Sequence, residues 1–176
     1  NPPVFHATDR YGNRVDEVEF HPSWHWLMRN GIRFGLAGTP WFSQDEDAHL
    51  RRAAGFFTWG QVEQGHMCPI TMTYAAVAAL KSDSALFDTW APGLASTDYE
   101  FGLSAPQGKK GLLAGMGMTE KQGGSDLRTN TSLARDTGDG STFLLSGHKW
   151  FTSAPMNDVF LVLANAEAGM TCFVVP

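Results

Sequence analysis

At 176 residues, with 43% hydrophobic and 18% charged residues, the chain can bury a real core and fits neither a disordered nor a fibrous class. A formal charge of -5 and the lack of Lys/Arg clusters argue against a surface built for polyanions. No apolar run approaches the roughly 20 residues that span a bilayer, and Asn1-Pro2-Pro3 shows no secretory pattern. Cys68 and Cys172 fit no metal or redox spacing and have apolar neighbours, so they read as buried free thiols in a reducing, cytoplasmic compartment.

The first twenty residues carry mixed charge without a steady period and read as an arm or loop. His21-Pro22-Ser23 leads into a short helix through Met28. Ser43-Gln44-Asp45-Glu46 has the form of a capping box. Behind it Leu50, Ala53, Ala54 and Phe57 recur at helical spacing and predict a buried face, widened by Trp59 and Val62 before Gly65 ends the helix. Arg51-Arg52 reads as a solvated helix face. Pro69 opens another apolar helix to about Leu80, and a shorter one, Ser84 to Trp90, is expected to stop at Pro92-Gly93.

From Gly111 the pattern changes. Leu112 to Met118 looks extended. Two strand-like runs, Thr131 to Arg135 and Ser141 to Ser146, flank the turn cluster Thr137-Gly138-Asp139-Gly140. Val159 to Leu163 and Thr171 to Val175 are β-branched or aliphatic runs separated by Glu167-Ala168-Gly169. The reading is therefore α+β: an N-terminal arm and α-helical domain over 1–110, then the opening of a β-barrel or sandwich domain over 111–176. So few strands leave open edges, so the natural polypeptide is expected to continue.

Two segments could carry chemistry. In Met116-Gly117-Met118-Thr119-Glu120-Lys121-Gln122-Gly123-Gly124-Ser125-Asp126 a strand runs into a turn with paired glycines. Glycine lets backbone N–H groups approach an anion, and the hydroxyls of Thr119 and Ser125 suit a heterocycle and a phosphate. The bland alternative is an ordinary glycine turn, and on residues alone the two readings stand even. In His148-Lys149-Trp150-Phe151-Thr152-Ser153 a flat ligand could stack on the aromatics while Thr152 and Ser153 bond its rim; the alternative is a β-bulge with core aromatics.

Competing motifs fail. Gly102 to Lys110 misses the P-loop spacing and has Lys110 where Ser or Thr should bind magnesium, and Gly115-Met116-Gly117 lacks the third glycine of a dinucleotide fingerprint. His21 and His25 lack a third metal ligand, His66 reads as a charge beside a helix end, and no serine sits in a nucleophile elbow.

Taken together, Gly117-Met118-Thr119-Glu120, Gly124-Ser125-Asp126 and Lys149-Trp150-Phe151-Thr152 resemble the flavin-contact signature of the acyl-CoA dehydrogenase family. Met118 to Asp126, with Asp16 to Pro22 and Cys68 to Thr73, is most similar to its AidB-like, alkylation-response branch. The resemblance implies an N-terminal helical domain, a β middle domain and a C-terminal helical bundle, of which this chain matches the first and the opening of the second. It implies FAD as cofactor, with contacts from Met116, Met118, Thr119, Gly124, Ser125, Trp150, Phe151, Thr152 and Ser153. Thr119 would lie near the reactive edge of the ring, where a hydroxyl stabilises developing negative charge, and Ser125 near the pyrophosphate.

The family's catalytic base is a carboxylate of the C-terminal bundle, so no catalytic residue and no metal site is expected here, and the fragment alone should not turn over substrate. Glu120 reads as a loop-holding residue. The implied partners are an acyl-CoA substrate, further copies in a homodimer or homotetramer, and DNA through the C-terminal part. The sequence departs from the commoner family pattern at Lys121-Gln122-Gly123, where many relatives carry Pro and Ala, which puts the usual acyl-chain preference in doubt.

Overall fold

The computed structural model describes residues 2–176, and Asn1 lies outside them. Its first element corrects the arm expectation. β1 (Val4–Thr8) and β2 (Arg14–Glu19) form an antiparallel hairpin, with Val4 opposite Glu19 and an irregularity between His6 and Thr8. The Asp9 carboxylate shapes its turn by accepting from the N–H groups of Tyr11 and Asn13 at 2.8 and 2.9 Å. Most of the hairpin is exposed, so the inside-outside alternation that marks a strand in sequence is missing.

Helix α1 (Pro22–Arg33) runs a turn beyond the expected Met28. Pro22 opens it and His21 caps it, its Nδ1 accepting from Ser23 N–H at 3.2 Å. After a short 3-10 turn at Thr39–Phe42 comes α2 (Ala48–Gly60). The expected capping box does not form. Ser43 Oγ takes the N–H of Asp45 and Asp45 takes that of Asp47, so these side chains build successive turns and the helix starts later.

The buried face of α2 is also corrected. Leu50 and Phe57 are 69% and 73% exposed, and Arg52, Gly55, Phe56 and Trp59 turn inward, two positions on and so on the opposite side of the cylinder. Arg52 is no solvated charge: its guanidinium lies 4.3 Å from the Phe56 ring centroid and 4.1 Å from that of Tyr74, and its Nε donates to the Leu36 carbonyl.

Helix α3 (Met67–Leu80) is apolar on nearly every side and lies at the centre of the molecule. Helix α4 (Ser84–Leu94) is capped by Asp83, which accepts from Leu86 N–H at 3.0 Å. It passes through Pro92 instead of stopping there. Pro92 and Asp88, whose carbonyl loses its helical partner, are both exposed, so water replaces the bond while Trp90, Ala91 and Leu94 bury the other side.

The strands are β3 (Ala114–Gly117), β4 (Leu133–Asp136), β5 (Phe143–Ser146), β6 (Val159–Ala166) and β7 (Gly169–Val175). β6 is the hub of this five-stranded sheet. β7 pairs antiparallel along it from Phe160 to Ala166, β3 pairs parallel with its first half, and β4 joins in parallel at Leu133–Asn165. β5 closes an antiparallel hairpin on β4.

Helices and sheet share one core: Val77, Leu80, Trp90 and Leu94 pack with Leu112, Ala114, Val159 and Leu161. Thr73 stitches the layers. Its buried hydroxyl donates to the Pro69 carbonyl at 2.8 Å and accepts the Ala114 N–H at 3.0 Å. A second cluster gathers Met28, Ile32, Leu36, Met67, Ile70 and Leu113.

Two further expectations are corrected. Cys68 and Cys172 are free but exposed, on the outward side of α3 and on the outer strand β7. His66 sits at the N-terminus of α3, not at a helix C-terminus, and is fully buried. Its Nδ1 pairs with Glu63 at 2.8 Å, and Glu63 also accepts the N–H groups of Gly65 and His66. Among the described residues no helix is long and apolar enough to cross a membrane.

Candidate functional site

The chain between β3 and β4 leaves one edge of β6 and returns to the same edge. Such an excursion must be closed at its neck to hold a shape. Two devices close it. Asn130 Nδ2 donates to the Met118 carbonyl at 2.9 Å, and the Glu120 carboxylate accepts the N–H groups of Thr131 and Ser132 at 2.7 and 2.9 Å. Inside the neck Glu120 and Gly123 bond to each other through their main chains, both at 3.1 Å.

Glu120 is only 2% exposed. Burial opposes its ionisation, but the donors of Ser132, Thr131 and Lys149 outweigh that and hold the carboxyl well below the usual carboxylate range. It is an ionised structural anchor, spent on donors of the protein itself and so unsuited to be a base.

The second segment arrives from the end of β5. Gly147 makes the approach possible: a Cβ there would lie 2.2 Å from Ser132 Oγ and 2.8 Å from Ser132 Cα. The main-chain N–H of Trp150 then donates to the Thr119 carbonyl at 2.9 Å. Lys149 Nζ donates to Glu120 Oε1, also at 2.9 Å. Phe151 and Ala154 follow with φ of 59° and 51°, a left-handed conformation that non-glycine residues rarely adopt.

The surface so assembled has polar and aromatic parts. Gly124 lies flush on Thr119, since a Cβ there would come 3.1 Å from Thr119 Cγ2. Among the described residues the hydroxyls of Thr119, Ser125, Thr152 and Ser153 and the N–H groups of Gly124 and Ser125 make no hydrogen bond within the chain. Trp150 and Phe151 stand edge-to-face, centroids 5.9 Å apart, and are 45% and 81% exposed. Met116 and Met118 pack on the core beneath. Open donors around a flat glycine floor, with aromatic faces alongside, fit a flat heteroaromatic ring with an anionic tail. A cleft of about 470 Å³ exists elsewhere, between the 3-10 turn and α2, lined by Phe34, Leu36, Pro40, Arg52 and Trp59.

Several residues of this site carry no signal in the sequence. Asn130, Ser132 and Gly147 lie outside both motifs, and Lys149 lies inside one without a role. His25 joins no metal cluster, since among the described residues no three or more His, Cys, Asp or Glu gather; it bonds Tyr99 Oη at 2.8 Å. Lys109, in the failed P-loop stretch, forms a buried ion pair with Asp158 and also donates to the Gly102 carbonyl.

Comparison with known proteins shows the family. Residues 1–101 match the family described as the adaptive response protein AidB N-terminal domain, and residues 115–176 match the acyl-CoA dehydrogenase middle domain. This chain belongs to the AidB-like branch of the acyl-CoA dehydrogenase family. It is 46% identical to AidB of Escherichia coli (strain K12) over 181 residues, covering 100% of this AidB-like chain and 33% of that protein. It is 30% identical to acyl-CoA dehydrogenase family member 11 of Caenorhabditis elegans over 165 residues, 92% of this chain and 26% of that one. The crystal structure of Caenorhabditis elegans ACDH-11 in complex with C11-CoA superposes with a TM-score of 0.83 at 27% identity, over 98% of this chain and 30% of the other. The AidB-like chain thus spans about a third or less of these relatives.

Proposed function

We propose that this chain supplies the FAD-binding part of an acyl-CoA dehydrogenase-type oxidoreductase, through Met116, Met118, Thr119, Gly124, Ser125, Trp150, Phe151, Thr152 and Ser153. The observation that carries the reading is the main-chain bond from Trp150 to Thr119, which brings the hydroxyl-bearing turn and the aromatic strip onto one surface. On this reading the helical part gives way to the β part near residue 110, and the stretch free of helix and strand between Leu94 and Ala114 supports it.

In such an enzyme FAD supplies a hydride acceptor, N5, for the β hydrogen of an acyl thioester whose α proton goes to a base. The residues of this chain would hold and polarise the ring. Thr119 and Thr152 would offer hydroxyls to its polar rim, Trp150 and Phe151 apolar faces, and Ser125 with the open N–H groups of Gly124 and Ser125 would be available to its diphosphate. Fixed donors of this kind act without reorganising as charge develops. The base belongs to the C-terminal bundle of the full-length protein, which also closes the acyl-CoA pocket, and the protein works as a cytoplasmic homodimer or homotetramer.

The match of residues 1–101 to an adaptive response family favours a second reading, a flavin-bearing, DNA-associated alkylation-response protein with vestigial dehydrogenase activity. Purified full-length protein separates the cases. Both readings expect bound FAD, and a colourless protein that takes up no FAD refutes both. Rapid bleaching of the flavin by a panel of acyl-CoAs supports the first. A flavin that stays oxidised, in a protein that shifts duplex DNA, supports the second.

A further inference from the structure

Glu120 has more donors than a loop anchor needs. Oε1 accepts from Ser132 N–H and Lys149 Nζ, both at 2.9 Å. Oε2 accepts from Thr131 N–H at 2.7 Å, Thr131 Oγ1 at 3.0 Å and Gln122 Nε2 at 2.7 Å. Four of these donors belong to the 118–132 excursion itself. The fifth, Lys149, comes from the other half of the site and is only 13% exposed. Its stem crosses Gly117, where a Cβ would come 3.3 Å from Lys149 Cγ, so the glycine leaves room for the lysine to reach the carboxylate. Immediately beyond Lys149 come the Trp150–Thr119 bond and the left-handed Phe151. A left-handed non-glycine residue persists only where its surroundings hold it, and the Lys149 tether is the last side-chain anchor before it.

We propose that Lys149 and Glu120 form the positioning pair of the cradle, setting the spacing between the hydroxyl turn at Thr119 and the aromatic strip at Trp150–Thr152. The proposal rests on the FAD reading above and adds to it a residue pair that is not among the contact residues named there. The pair is asymmetric. Without Lys149, Glu120 keeps four donors and the turn keeps its shape. Without the charge on Glu120, an almost buried ammonium loses its counter-ion and the N–H groups of Thr131 and Ser132 meet an amide that can itself donate.

The test uses the full-length protein, stripped of flavin and titrated with FAD by fluorescence quenching, with the melting temperature of the flavin-free form measured in parallel. Lys149→Met should lower that melting temperature modestly, because Glu120 keeps four donors but loses its counter-ion, weaken FAD about tenfold, and at saturating FAD shift the visible absorption band and the midpoint potential. Lys149→Arg, which keeps the charge and the reach, should restore all four. Glu120→Gln should weaken FAD about a hundredfold, and adding Lys149→Met should recover part of that loss by removing the unpaired charge. If Glu120→Gln does not fold, the two Lys149 variants decide the matter. A Lys149→Met protein with wild-type affinity, spectrum and potential overturns the positioning role while leaving the FAD reading intact. Wild-type protein that binds no FAD overturns both.

Discussion

Trp150 donates its main-chain N–H to the carbonyl of Thr119 at 2.9 Å, although two strands and their turn separate the residues along the chain. That bond joins the hydroxyl-bearing turn to the aromatic strip. The Glu120–Lys149 pair ties the same two segments together, and Gly147, just before the strip, lies against Ser132 at the neck of the turn.

The Gly147 contact leaves no room for a methyl group. Gly147→Ala places a Cβ on the backbone and side chain of Ser132, so one of the two strands must shift. We expect a loss of about 1–3 kcal/mol, read as a fall of roughly 3–10 °C in the melting temperature for a chain of this length. A circular-dichroism melt superimposable on wild type would contradict the close approach.

Lys109 and Asp158 are almost fully buried, and Asp158 also accepts the N–H of Leu113 at 2.8 Å. Lys109→Met therefore strands a carboxylate in the interior. Urea denaturation should show a loss of about 3–5 kcal/mol, with part of it recovered when Asp158→Asn is added.

Acid should weaken the fold through two glutamates. Hydrogen bonds from His66 hold Glu63 down to about 2, and those at the neck hold Glu120 lower still than an ordinary carboxylate. A group depressed in the folded state contributes fully above its unfolded value of about 4.3 and loses that contribution as pH falls toward the folded value. Unfolding free energy should thus decline steadily below about pH 4.3. Glu63→Gln should flatten the Glu63 share, which ends near pH 2; because Glu63 is half exposed, that share is below about 1 kcal/mol. Urea titrations at a series of pH values check both slopes, and a stability independent of pH between about 5 and 2 contradicts them.

The two faces of α2 should respond differently to truncation. Leu50→Ala and Phe57→Ala remove exposed side chains and should change the stability of this chain by no more than about 0.5 kcal/mol. Trp59→Ala removes a ring packed on the second core cluster and should cost about 2–4 kcal/mol. Equal effects from Phe57 and Trp59 would show that the helix is rotated from the orientation described.

Much of the sheet was legible in the sequence because its signals are local. Thr137 to Gly140 predicts the turn between β4 and β5, Glu167 to Gly169 that between β6 and β7, and the apolar run after Pro69 predicts α3. The two glycine- and aromatic-bearing stretches could be named as candidates because each is contiguous. Alternation, turn chemistry and short motifs are written within a few residues.

Other features were settled only in three dimensions. Leu50 and Phe57 have the right spacing for a core face, yet Arg52 wins the interior because Phe56, Tyr74 and the Leu36 carbonyl together accommodate its guanidinium. Pro92 reads as a stop, yet α4 continues because its exposed side lets water take the lost bond. Cys68 and Cys172 have apolar neighbours in sequence but face outward. Lys149 finds Glu120, Trp150 finds Thr119 and Thr73 finds Ala114 across long stretches of chain. The sequence by itself determined α3 and the strands and turns from β3 onward, since those choices depend on near neighbours, while the exposed N-terminal hairpin left no alternation to read. Only the tertiary structure decided which side of each element is buried and which residues meet at the site, because burial and ion pairing depend on groups that become neighbours only after folding.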